Sequence, residues 1–318
     1  MIRAWLTIGD SVREAPADEV IASVKSGTAN GWVDLDCEDE ASARALLAPL
    51  AIHPLVLEDM VSEINRPKVD NYGDYLYLVV HSARWEEERP RLREIDVVVG
   101  VHYLITYHDG ETRSVAAAHE ALARRADLLA HGPTPLLHFL LDVLVDNYLP
   151  IMDRVGESID ELEESVFDAR GGISIPERAV HLKRGMAALR RIVGPERDTL
   201  LALTRDEFRP IPADMRPYLR DVYDRIARIS DLLDSYRDEI STLLELHVSV
   251  VSNRLNEIIK RLTVIATVGV PLTVVTSYYG MNLKIAAYSW PHGELYVLAL
   301  LAVTALLTWA VLRWKRWD

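Results

Sequence analysis

The sequence predicts an α/β cytoplasmic domain followed by a long helical stalk and two C-terminal transmembrane helices. Short apolar patterns of both strand and helix periodicity fill the first part of the chain. Near the C-terminus, residues 262–283 and 295–312 form two runs without a charged residue. Between these regions lies an apolar seam of helical spacing, which predicts the stalk.

The first expected domain covers residues 1–132. Its segments WVDLD, YLYLVVHSARW and EIDVVVGVHYLITYH are rich in β-branched and aromatic residues, which is typical of strands. The segments DEASARALLAPLA and HEALARRADLLA have helical periodicity. We therefore expect an α/β domain with a sheet of several strands.

Residues 133–212 are predicted to form a cytoplasmic helical hairpin. One long helix is expected from Thr134 through the acidic segment ending VFD, and a second from about Glu177 to Asp206, with RGG and SIPE between them. The first helix starts with an apolar stretch, but Asp142 and Asp146 fall within it. A packed soluble helix is therefore favoured over a third membrane span.

The stalk is expected over residues 213–261. After RPIPADMRP, apolar residues recur in alternating steps of three and four, without a further Gly or Pro before Gly269. Charged residues lie off this seam, and Asp221 with Arg225 has the spacing of a helical ion pair. The seam consists of Leu219, Val222, Ile226, Ile229, Leu233, Tyr236, Ile240 and Leu243.

Two C-terminal runs are long enough to cross a bilayer as helices. Residues 262–283 and 295–312 correspond to about 33 and about 27 Å, against a hydrocarbon thickness of about 30 Å. Lys260 and Arg261 precede the first run and Arg313 follows the second, which predicts cytoplasmic N- and C-termini in the cell (inner or plasma) membrane. The expected boundaries are 262–283 and 295–313 for the transmembrane helices, 284–294 for the external loop and 314–318 for a basic tail.

Composition and motifs exclude several classes of function. A net charge of −13 argues against nucleic-acid binding, and the single Cys37 excludes an internal disulfide. The sequence has no GxxxxGK[ST], HExxH, CxxC or GxSxG motif, so we expect neither a nucleotide-binding protein nor an enzyme. YHDG at 107–110 is interpreted as a strand end that enters a turn, because no second His–Asp cluster accompanies it.

The first membrane run carries a stripe of small, hydroxyl and amide residues. A water-facing pore wall and a close helix–helix interface both explain such a stripe, and the residues alone leave both interpretations open. We call it the polar stripe; it contains Asn256, Ile259, Leu262, Ala266, Gly269, Thr273, Thr276 and Gly280.

Three segments resemble the CorA family of magnesium channels, the GMN-type divalent metal-ion transporters. YGMN at 279–282 closes the first of two C-terminal apolar runs, as the family signature does. The preceding segment from YLRDVYDRIARIS to the signature resembles the family's stalk and pore helix, and NRPKVDNYGDYLYLVV at 65–80 resembles its cytoplasmic domain. The resemblance covers most of the chain and is weakest over about the first fifty residues.

The resemblance implies a funnel-shaped homopentamer whose first membrane helices line one pore for divalent cations. Asn282 and the carbonyl of Gly280 would form the selectivity filter at the outer mouth, with Met281 as packing support. Further in, Thr273 and Asn256 would form polar rings. Ile259 and Leu262 match the family's hydrophobic gate.

The resemblance also implies regulation by a cytoplasmic divalent ion. Asp221 matches the family's stalk aspartate, and Glu86 is the best match for its acidic partner from the α/β domain, with Glu87 and Glu88 as alternatives. Mg²⁺ bound between these carboxylates would hold the closed assembly. Pairing of Asp221 with Arg225 is the alternative interpretation.

The external loop departs from the family pattern and leaves the ion open. LKIAAYSWPHGEL is longer than the acidic loop of well-known members and adds Lys284 and His292, while Glu294 would attract cations. PHG resembles the ZntB branch, so proton-coupled Zn²⁺ transport is an alternative to a Mg²⁺ channel, and Co²⁺ and Ni²⁺ are further candidate ions. A membrane-anchored cytoplasmic sensor or scaffold is a more remote alternative.

Overall fold

The computed structural model describes residues 1–37, 39–61, 65–86, 89–167, 174–205, 207–281 and 290–314. These residues belong to two compact units, Met1–Leu243 and Leu244–Asp318.

The first unit contains one sheet, with seven strands among the described residues. Their order across the sheet is β2-β1-β3-β7-β6-β5-β4; β3 and β7 are parallel, and all other neighbours are antiparallel. The strands are β1 (Ile2–Ile8), β2 (Ser11–Glu14), β3 (Gly31–Asp36), β4 (Lys68–Asn71), β5 (Tyr75–Glu86), β6 (Arg89–Gly100) and β7 (Tyr103–His108).

Helices cover the sheet and continue into the second unit. Those in the described residues are α1 (Ala17–Lys25), α2 (Glu40–Leu47), α3 (Pro54–Val61), α4 (Arg113–Leu122), α5 (Asp127–Ala130), α6 (Thr134–Asp146), α7 (Leu149–Phe167), α8 (Ser174–Arg205), α9 (Arg216–Gly280) and α10 (Gly293–Trp314). The expected α/β domain is thus present. The sequence did not predict β1, β2, β4, α1 or α3.

One face of the sheet is covered by α1, α2 and α3. Buried side chains of these helices join alternate residues of the strands in one hydrophobic core, because successive strand residues point to opposite faces. Val20 and Ile21 of α1, Leu47 of α2 and Met60 of α3 belong to this core.

The opposite face is covered by α4, α6 and α8. Trp32 of β3 is fully buried there; its ring stacks on His119 of α4 at 4.2 Å, and its Nε1 donates to Thr106 Oγ1 over 3.0 Å. Farther along the sheet, α6 contacts β5 and β7, and α8 contacts β4, β5 and β6. The α/β domain and the helical region therefore share one folded unit.

The apolar start of the region after Thr134 forms two helices instead of the single helix expected there. α6 ends at Asp146 and α7 begins at Leu149. Pro150 lacks the N–H that a continuous helix would need to bond to the carbonyl of Asp146, and it disfavours helical geometry at Leu149. The expectation of one helix was therefore wrong at this position.

The predicted seam of α9 is confirmed up to Leu243. Seven of its eight residues are buried, and Tyr236 is half-buried. Tyr236 lies against Gly156 of α7, where an added Cβ would come within 2.7 Å of the Tyr236 hydroxyl. Polar contacts join the same part of α9 to α8: Arg190 binds Asp234 at 3.0 Å.

Arg225 joins α9 to α6. Its guanidinium donates to Asp142 and Asp146 of α6 and, over 2.7 Å, to Asp221 of its own helix. The side chain of Arg225 is 19% exposed, so these bonds form in a partly desolvated site. Three carboxylates thus share one cation, and hydrogen bonds to charged groups are stronger than neutral ones.

The second unit contains α9 from Leu244 onward and α10. Many of their large apolar side chains are exposed, including Val248, Ile265, Val274, Leu298 and Leu306. Three helical segments among the described residues are long and apolar enough to span a membrane: Thr134–Val166, Ala213–Gly280 and Gly293–Trp314. Their most apolar windows are 50%, 0% and 6% buried within the chain, respectively.

Replacing Arg225 with Leu should destabilise the chain. The change leaves the carboxylates of Asp142 and Asp146 without their shared cation, at an expected cost of about 1–3 kcal/mol. Arg228→Leu, at an exposed position one turn further along α9, is the matched control and should change stability by at most about 0.5 kcal/mol. Thermal unfolding of the detergent-solubilised chain measures both. Equal losses in the two variants would show that the Asp–Arg cluster contributes nothing specific.

Candidate ion pathway and metal sites

The polar stripe of α9 is largely uncovered within the chain. Ile259 is 50% exposed and Leu262 is 65% exposed. The other members are exposed too, except for Gly269, which is half-buried. A different side of the same helix is half-buried, and it is apolar: Val264, Val268, Leu272 and Val275. Whatever contacts the polar stripe, whether water, lipid or another chain, therefore lies outside the described chain.

The threonines of the stripe present oxygen acceptors. Thr273 Oγ1 donates to the carbonyl of Gly269 over 2.9 Å, and Thr276 Oγ1 donates to that of Leu272 over 3.1 Å. Because each hydroxyl proton is already used within the helix, the oxygen lone pairs face outward as acceptors. Such an oxygen suits the water shell of a cation, and it also suits a donor from a neighbouring helix.

Pro271 leaves one backbone carbonyl of α9 without its usual hydrogen-bond donor. It lies inside α9 and has no N–H to donate to the carbonyl of Thr267, four residues earlier. Within hydrocarbon, a carbonyl without its helical donor needs a protein neighbour or a wet cavity. The chemistry of this helical segment therefore favours burial in an assembly over simple exposure to lipid.

The expected selectivity filter is described up to Met281. Gly280 is the last residue of α9, and the Met281 N–H donates to the carbonyl of Tyr278 over 3.4 Å. Met281 is 51% exposed. Asn282 and Lys284 lie outside the described residues, so their expected roles stay predictions.

His292 and Glu294 are brought together at the start of α10. Both are exposed and line a cavity of about 590 Å³, together with Tyr279 and Trp290. Glu294 lies in the first turn of α10, where the positive end of the helix dipole favours a carboxylate. The two side chains can attract a cation, but two groups do not make a closed ligand set.

Asp221 occupies an exposed position on α9. Its side chain is 69% exposed, and Oδ2 accepts the 2.7 Å hydrogen bond from Arg225. The pairing considered as the alternative interpretation is thus present within the chain. The carboxylates of Asp142, Asp146 and Asp221 outnumber the Arg225 cation, which leaves a net negative surface there.

Glu86 is the last residue of β5 and lies between two arginines. Its carboxylate is 3.4 Å from Arg84 Nε and 3.1 Å from Arg91 Nε. In the described part of one chain, no hydrogen bond or ion pair joins Glu86 to Asp221. The alternatives Glu87 and Glu88 lie outside the described residues.

A buried polar cluster lies where β3 and β7 end side by side. Asp34 Oδ1 is 3.1 Å from His108 Nε2, and Asp34 Oδ2 is 2.8 Å from His119 Nε2. Trp5 Nε1 donates to His119 Nδ1 over 2.9 Å, and His108 Nδ1 lies 2.7 Å from the carbonyl of Gly110. The pairing of β3 with β7 brings His108 to Asp34, 74 positions away, and the packing of α4 on the sheet brings His119, 85 positions away.

These contacts define the protonation of both imidazoles. His119 accepts at Nδ1, so its proton lies on Nε2 and is donated to Asp34. His108 faces an acceptor at each nitrogen and is therefore an imidazolium. Burial disfavours its charge, yet the hydrogen bond and charge of Asp34 raise the pKa of His108. Burial likewise disfavours the Asp34 carboxylate, but hydrogen bonds from His108 and His119 hold the pKa of Asp34 well below its ordinary value.

The cluster does not suit a metal ion. Both imidazole rings and both Asp34 oxygens are already engaged, so no imidazole lone pair is left for coordination. Among the described residues, no group of three or more His, Cys, Asp and Glu side chains is arranged to hold a metal. The interpretation of YHDG as a strand end was correct, since β7 ends at His108. Asp34 and His119, which join His108 in the cluster, come from separate parts of the chain and form no second His–Asp motif in the sequence.

Comparison with known proteins identifies relatives over most of the chain. The family model described as "CorA-like Mg2+ transporter protein" matches residues 28–316. A "Putative metal ion transporter YfjQ" of Bacillus subtilis is 31% identical over 88% of each chain. The "Cobalt/magnesium transport protein CorA" of Thermotoga maritima is 32% identical over 84% of this chain and 77% of its own.

A solved structure has the same fold. The complete structure of the CorA magnesium transporter from Methanocaldococcus jannaschii covers 100% of this chain, and the alignment covers 99% of that chain. The TM-score is 0.83 at 18% sequence identity, which shows the fold alone. The observed fold thus agrees with the expectation of an α/β domain and a long helix with C-terminal helical segments, whereas the two membrane crossings and the homopentamer stay predictions.

Replacing Asp34 with Asn should destabilise the first unit at neutral pH. An amide cannot balance the His108 imidazolium, so we expect a loss of about 1–3 kcal/mol. In the native chain, the His108–Asp34 ion pair stabilises the fold fully at pH values below the pKa of a histidine in the unfolded chain. This stabilisation is lost as the pH rises through the higher pKa that His108 has in the folded chain. The Asn variant should lack this pH dependence in thermal unfolding.

Asp36→Asn is the matched control for Asp34→Asn. Asp36 Oδ1 accepts from the Gly110 N–H over 2.9 Å, and an amide oxygen preserves that bond; it also lies 3.7 Å from His108 Nδ1, where its charge raises the pKa of His108 less than Asp34 does. If Asp36→Asn flattened the pH profile as much as Asp34→Asn, the assignment of the ion pair to Asp34 and His108 would be wrong.

Proposed function

Since the chain belongs to the CorA family, whose members are divalent cation transporters, we propose that it is a Mg²⁺ channel of the cell membrane. The observation that carries the proposal is the uncovered polar stripe of α9, which leads to Gly280 and, in sequence, to Asn282. A membrane anchor has no need of such a stripe. A pore wall does, because a hydrated ion needs acceptors along its path.

Two helices span the membrane in this proposal. The apolar windows of Ala213–Gly280 and Gly293–Trp314 are almost unburied within the chain, whereas that of Thr134–Val166 is half-buried. The charges of Asp142 and Asp146, bound to Arg225, also keep α6 out of hydrocarbon, where carboxylates are costly. Both termini then lie on the cytoplasmic side, where Lys260, Arg261 and Arg313 flank the spans.

A homopentamer encloses the pore. Two helices of one chain cannot surround a water-filled path, so copies of the chain must bring their polar stripes to a common axis. The α10 threonines donate to carbonyls of their own helix, as Thr304 does to Leu300 over 2.7 Å, and this suits an outer helix in contact with lipid. The funnel shape and the number five rest on the family resemblance.

The mouth selects a hydrated ion. Mg²⁺ gives up its water reluctantly, so a first site is better built from neutral dipoles than from carboxylates that bind the bare ion tightly. Five Asn282 amides with the Gly280 carbonyls provide such dipoles around one axis, while Met281 supports the mouth by packing. Glu294 and His292 raise the local concentration of cations outside it.

The deeper stripe supplies polar rings and a gate. Thr273 and Asn256 offer oxygen acceptors at two levels of the helix, and Thr273 Oγ1 has its lone pairs available. Ile259 and Leu262, the latter the first residue of the membrane run, present bulky apolar side chains between Asn256 and Thr273. A narrow ring of such side chains blocks ions by expelling water, and a wider ring conducts.

Mg²⁺ is favoured over softer ions because the stripe and mouth offer only amide, hydroxyl and carbonyl oxygens in the sequence. Zn²⁺ and Ni²⁺ are better suited by imidazole ligands. The second candidate function is proton-coupled Zn²⁺ transport, which is supported by His292 beside Glu294 in one cavity.

Cytoplasmic Mg²⁺ regulates the channel by binding between neighbouring copies. Asp221 of one copy and Glu86 of the next supply the carboxylates, and the excess negative charge around Arg225 favours a cation there. To bind the ion, the Glu86 carboxylate must give up its ion pairs with Arg84 and Arg91. Loss of Mg²⁺ then leaves like charges in apposition and loosens the closed assembly.

Asn282→Ala should abolish Mg²⁺ uptake into dye-loaded proteoliposomes, because a methyl group accepts no hydrogen bond from the ion's water shell. Asn253→Ala, at an exposed position on the cytoplasmic side of the membrane run, is the amide control and should leave the uptake intact. Potential-driven Mg²⁺ entry that persists in Asn282→Ala would reject the filter, and a native chain that passes no divalent ion would support the anchored sensor. Zn²⁺ entry accompanied by protons would favour the second candidate.

Asp221→Lys should remove regulation while leaving conduction. Mg²⁺ should protect the native chain from protease, and this protection should be lost in the variant because a lysine repels the ion. Asp224→Lys, at an exposed site three residues away, is the matched control and should retain protection. Equal Mg²⁺-dependent protection in both variants would contradict the regulatory role of Asp221.

A further inference from the structure

Glu196 is a fully buried carboxyl group at a joint between three elements. It follows Pro195 inside α8 and is 0% exposed. Tyr148, also 0% exposed, lies between α6 and α7, and its hydroxyl is 2.8 Å from Glu196 Oε2. The third partner is the backbone of His81 in β5.

The joint replaces missing strand partners at the edge of the sheet. β4 pairs with β5 as far as Val79, so β5 continues beyond its neighbour. At His81, the N–H donates to Glu196 Oε1 over 3.2 Å, and the carbonyl accepts from the Tyr148 hydroxyl over 2.8 Å. Two side chains from the helical layer thus satisfy the backbone groups that the short β4 leaves unpaired.

The two contacts of the Tyr148 hydroxyl, which has only one proton, bear on the charge of Glu196. The Tyr148 hydroxyl lies 2.8 Å from both the His81 carbonyl and Glu196 Oε2, yet it carries a single proton. Tyr148 can donate its one proton to the His81 carbonyl or to Glu196 Oε2, and both contacts are full hydrogen bonds at the same time when Glu196 Oε2 carries a proton of its own. The carboxyl is then neutral, and the chain of donors runs from Glu196 through Tyr148 to His81.

The surroundings agree with a neutral acid. On the β5 side, the His81 ring is uncharged near neutral pH because burial lowers its pKa to about 4. Along α8, Arg197 pairs with Asp198 at 3.2 Å. No lysine or arginine in the described residues forms an ion pair with Glu196. Burial raises the pKa of Glu196 to about 8 and that of Tyr148 well above its ordinary value.

We propose that Glu196 is a proton-operated latch: its protonated carboxyl closes the joint between β5 and α8, and rising pH opens it. On ionisation, the proton leaves to hydroxide, which becomes water. Tyr148 then turns its O–H to the carboxylate, and the His81 carbonyl loses its donor. The latch rests on contacts within Met1–Leu243 alone and does not depend on which ion, if any, the protein transports.

The pH dependence has a definite sign. In an opened joint, Glu196 contacts water and titrates at its ordinary pKa of 4.5, whereas in the closed joint it titrates at about 8. Between these values, the closed state holds one more proton than the open state. The open fraction should therefore rise about tenfold per pH unit in this window and level off above it.

The test combines infrared spectroscopy with hydrogen exchange on the full chain in nanodiscs. Glu196→Gln is the main variant, because its amide can donate to Tyr148 and accept from the His81 N–H. The native-minus-variant infrared spectrum should contain the carbonyl band of a protonated carboxylic acid at pH 6, and this band should disappear with a midpoint of about 8. Asp198→Asn, on the exposed side of the same turn, should leave the band unchanged.

Hydrogen exchange tests whether the proton controls the joint. After correction for intrinsic rates, opening of α8 and of β5 around His81 should follow the tenfold slope in the native chain and in Asp198→Asn, and should be flat in Glu196→Gln. Tyr148→Phe is the second variant, to be used if Glu196→Gln does not fold. The pH midpoint at which its carboxylic acid band disappears should lie above that of the native chain, because the Tyr148 hydrogen bond lowers the pKa of Glu196. No acid band at pH 6, or a band that titrates without any change in exchange, would overturn the proposal.

Discussion

Polar groups within the uncharged, mostly apolar C-terminal part of α9 form the constraint on which the account of this protein depends. The hydroxyl of Thr273 and the carbonyl of Thr267, left without a donor by Pro271, lie in a run with no charged residue. Water is absent from hydrocarbon, so such groups need a neighbouring chain or a wet cavity. Since the described part of one chain leaves the polar stripe uncovered, assembly and a water-filled path are two aspects of one requirement in the proposed channel.

The first unit, Met1–Leu243, has a different constraint, because it buries ionisable side chains in a protein that carries a net negative charge. It solves this in three ways: Arg225 is shared among carboxylates, the His108 imidazolium is paired with Asp34, and Glu196 is kept neutral by a proton. Each of these three interactions joins helices or strands that are distant in sequence. The first depends on a permanent cation, whereas the other two respond to pH, so the unit combines fixed joints with titratable ones.

Sequence periodicity predicts the elements whose signal is local. The α9 seam is an example, because residues such as Val222 and Ile226 repeat at helical spacing and are buried. The end of α6 has no such signal, because the apolar pattern continues through Tyr148, which is itself buried, to Pro150 in the first turn of α7. The strands β2 and β4 were missed because each has four residues, many of them polar, and such edge strands carry little apolar signal.

Contacts between distant residues have no comparable signal. The partners of His108 and of Glu196 depend on the order of the strands and on which helix covers which face; His81 and Glu196 are 115 positions apart. For the candidate pathway the situation is reversed. The motif at 280–282 and the stripe spacing are visible in the sequence, whereas what covers the stripe lies outside the described residues and leaves no local pattern.

Thiol accessibility along α9 tests the central claim most directly. With Cys37 replaced by Ser, single cysteines placed at 264–276 would be exposed to a small water-soluble thiol reagent in the membrane-embedded chain. A water-lined stripe predicts modification at Ala266, Gly269, Thr273 and Thr276 and protection at Val264, Val268, Leu272 and Val275. Protection at every position, as in an anchor surrounded by lipid and protein, would contradict the claim that α9 lines an ion pathway.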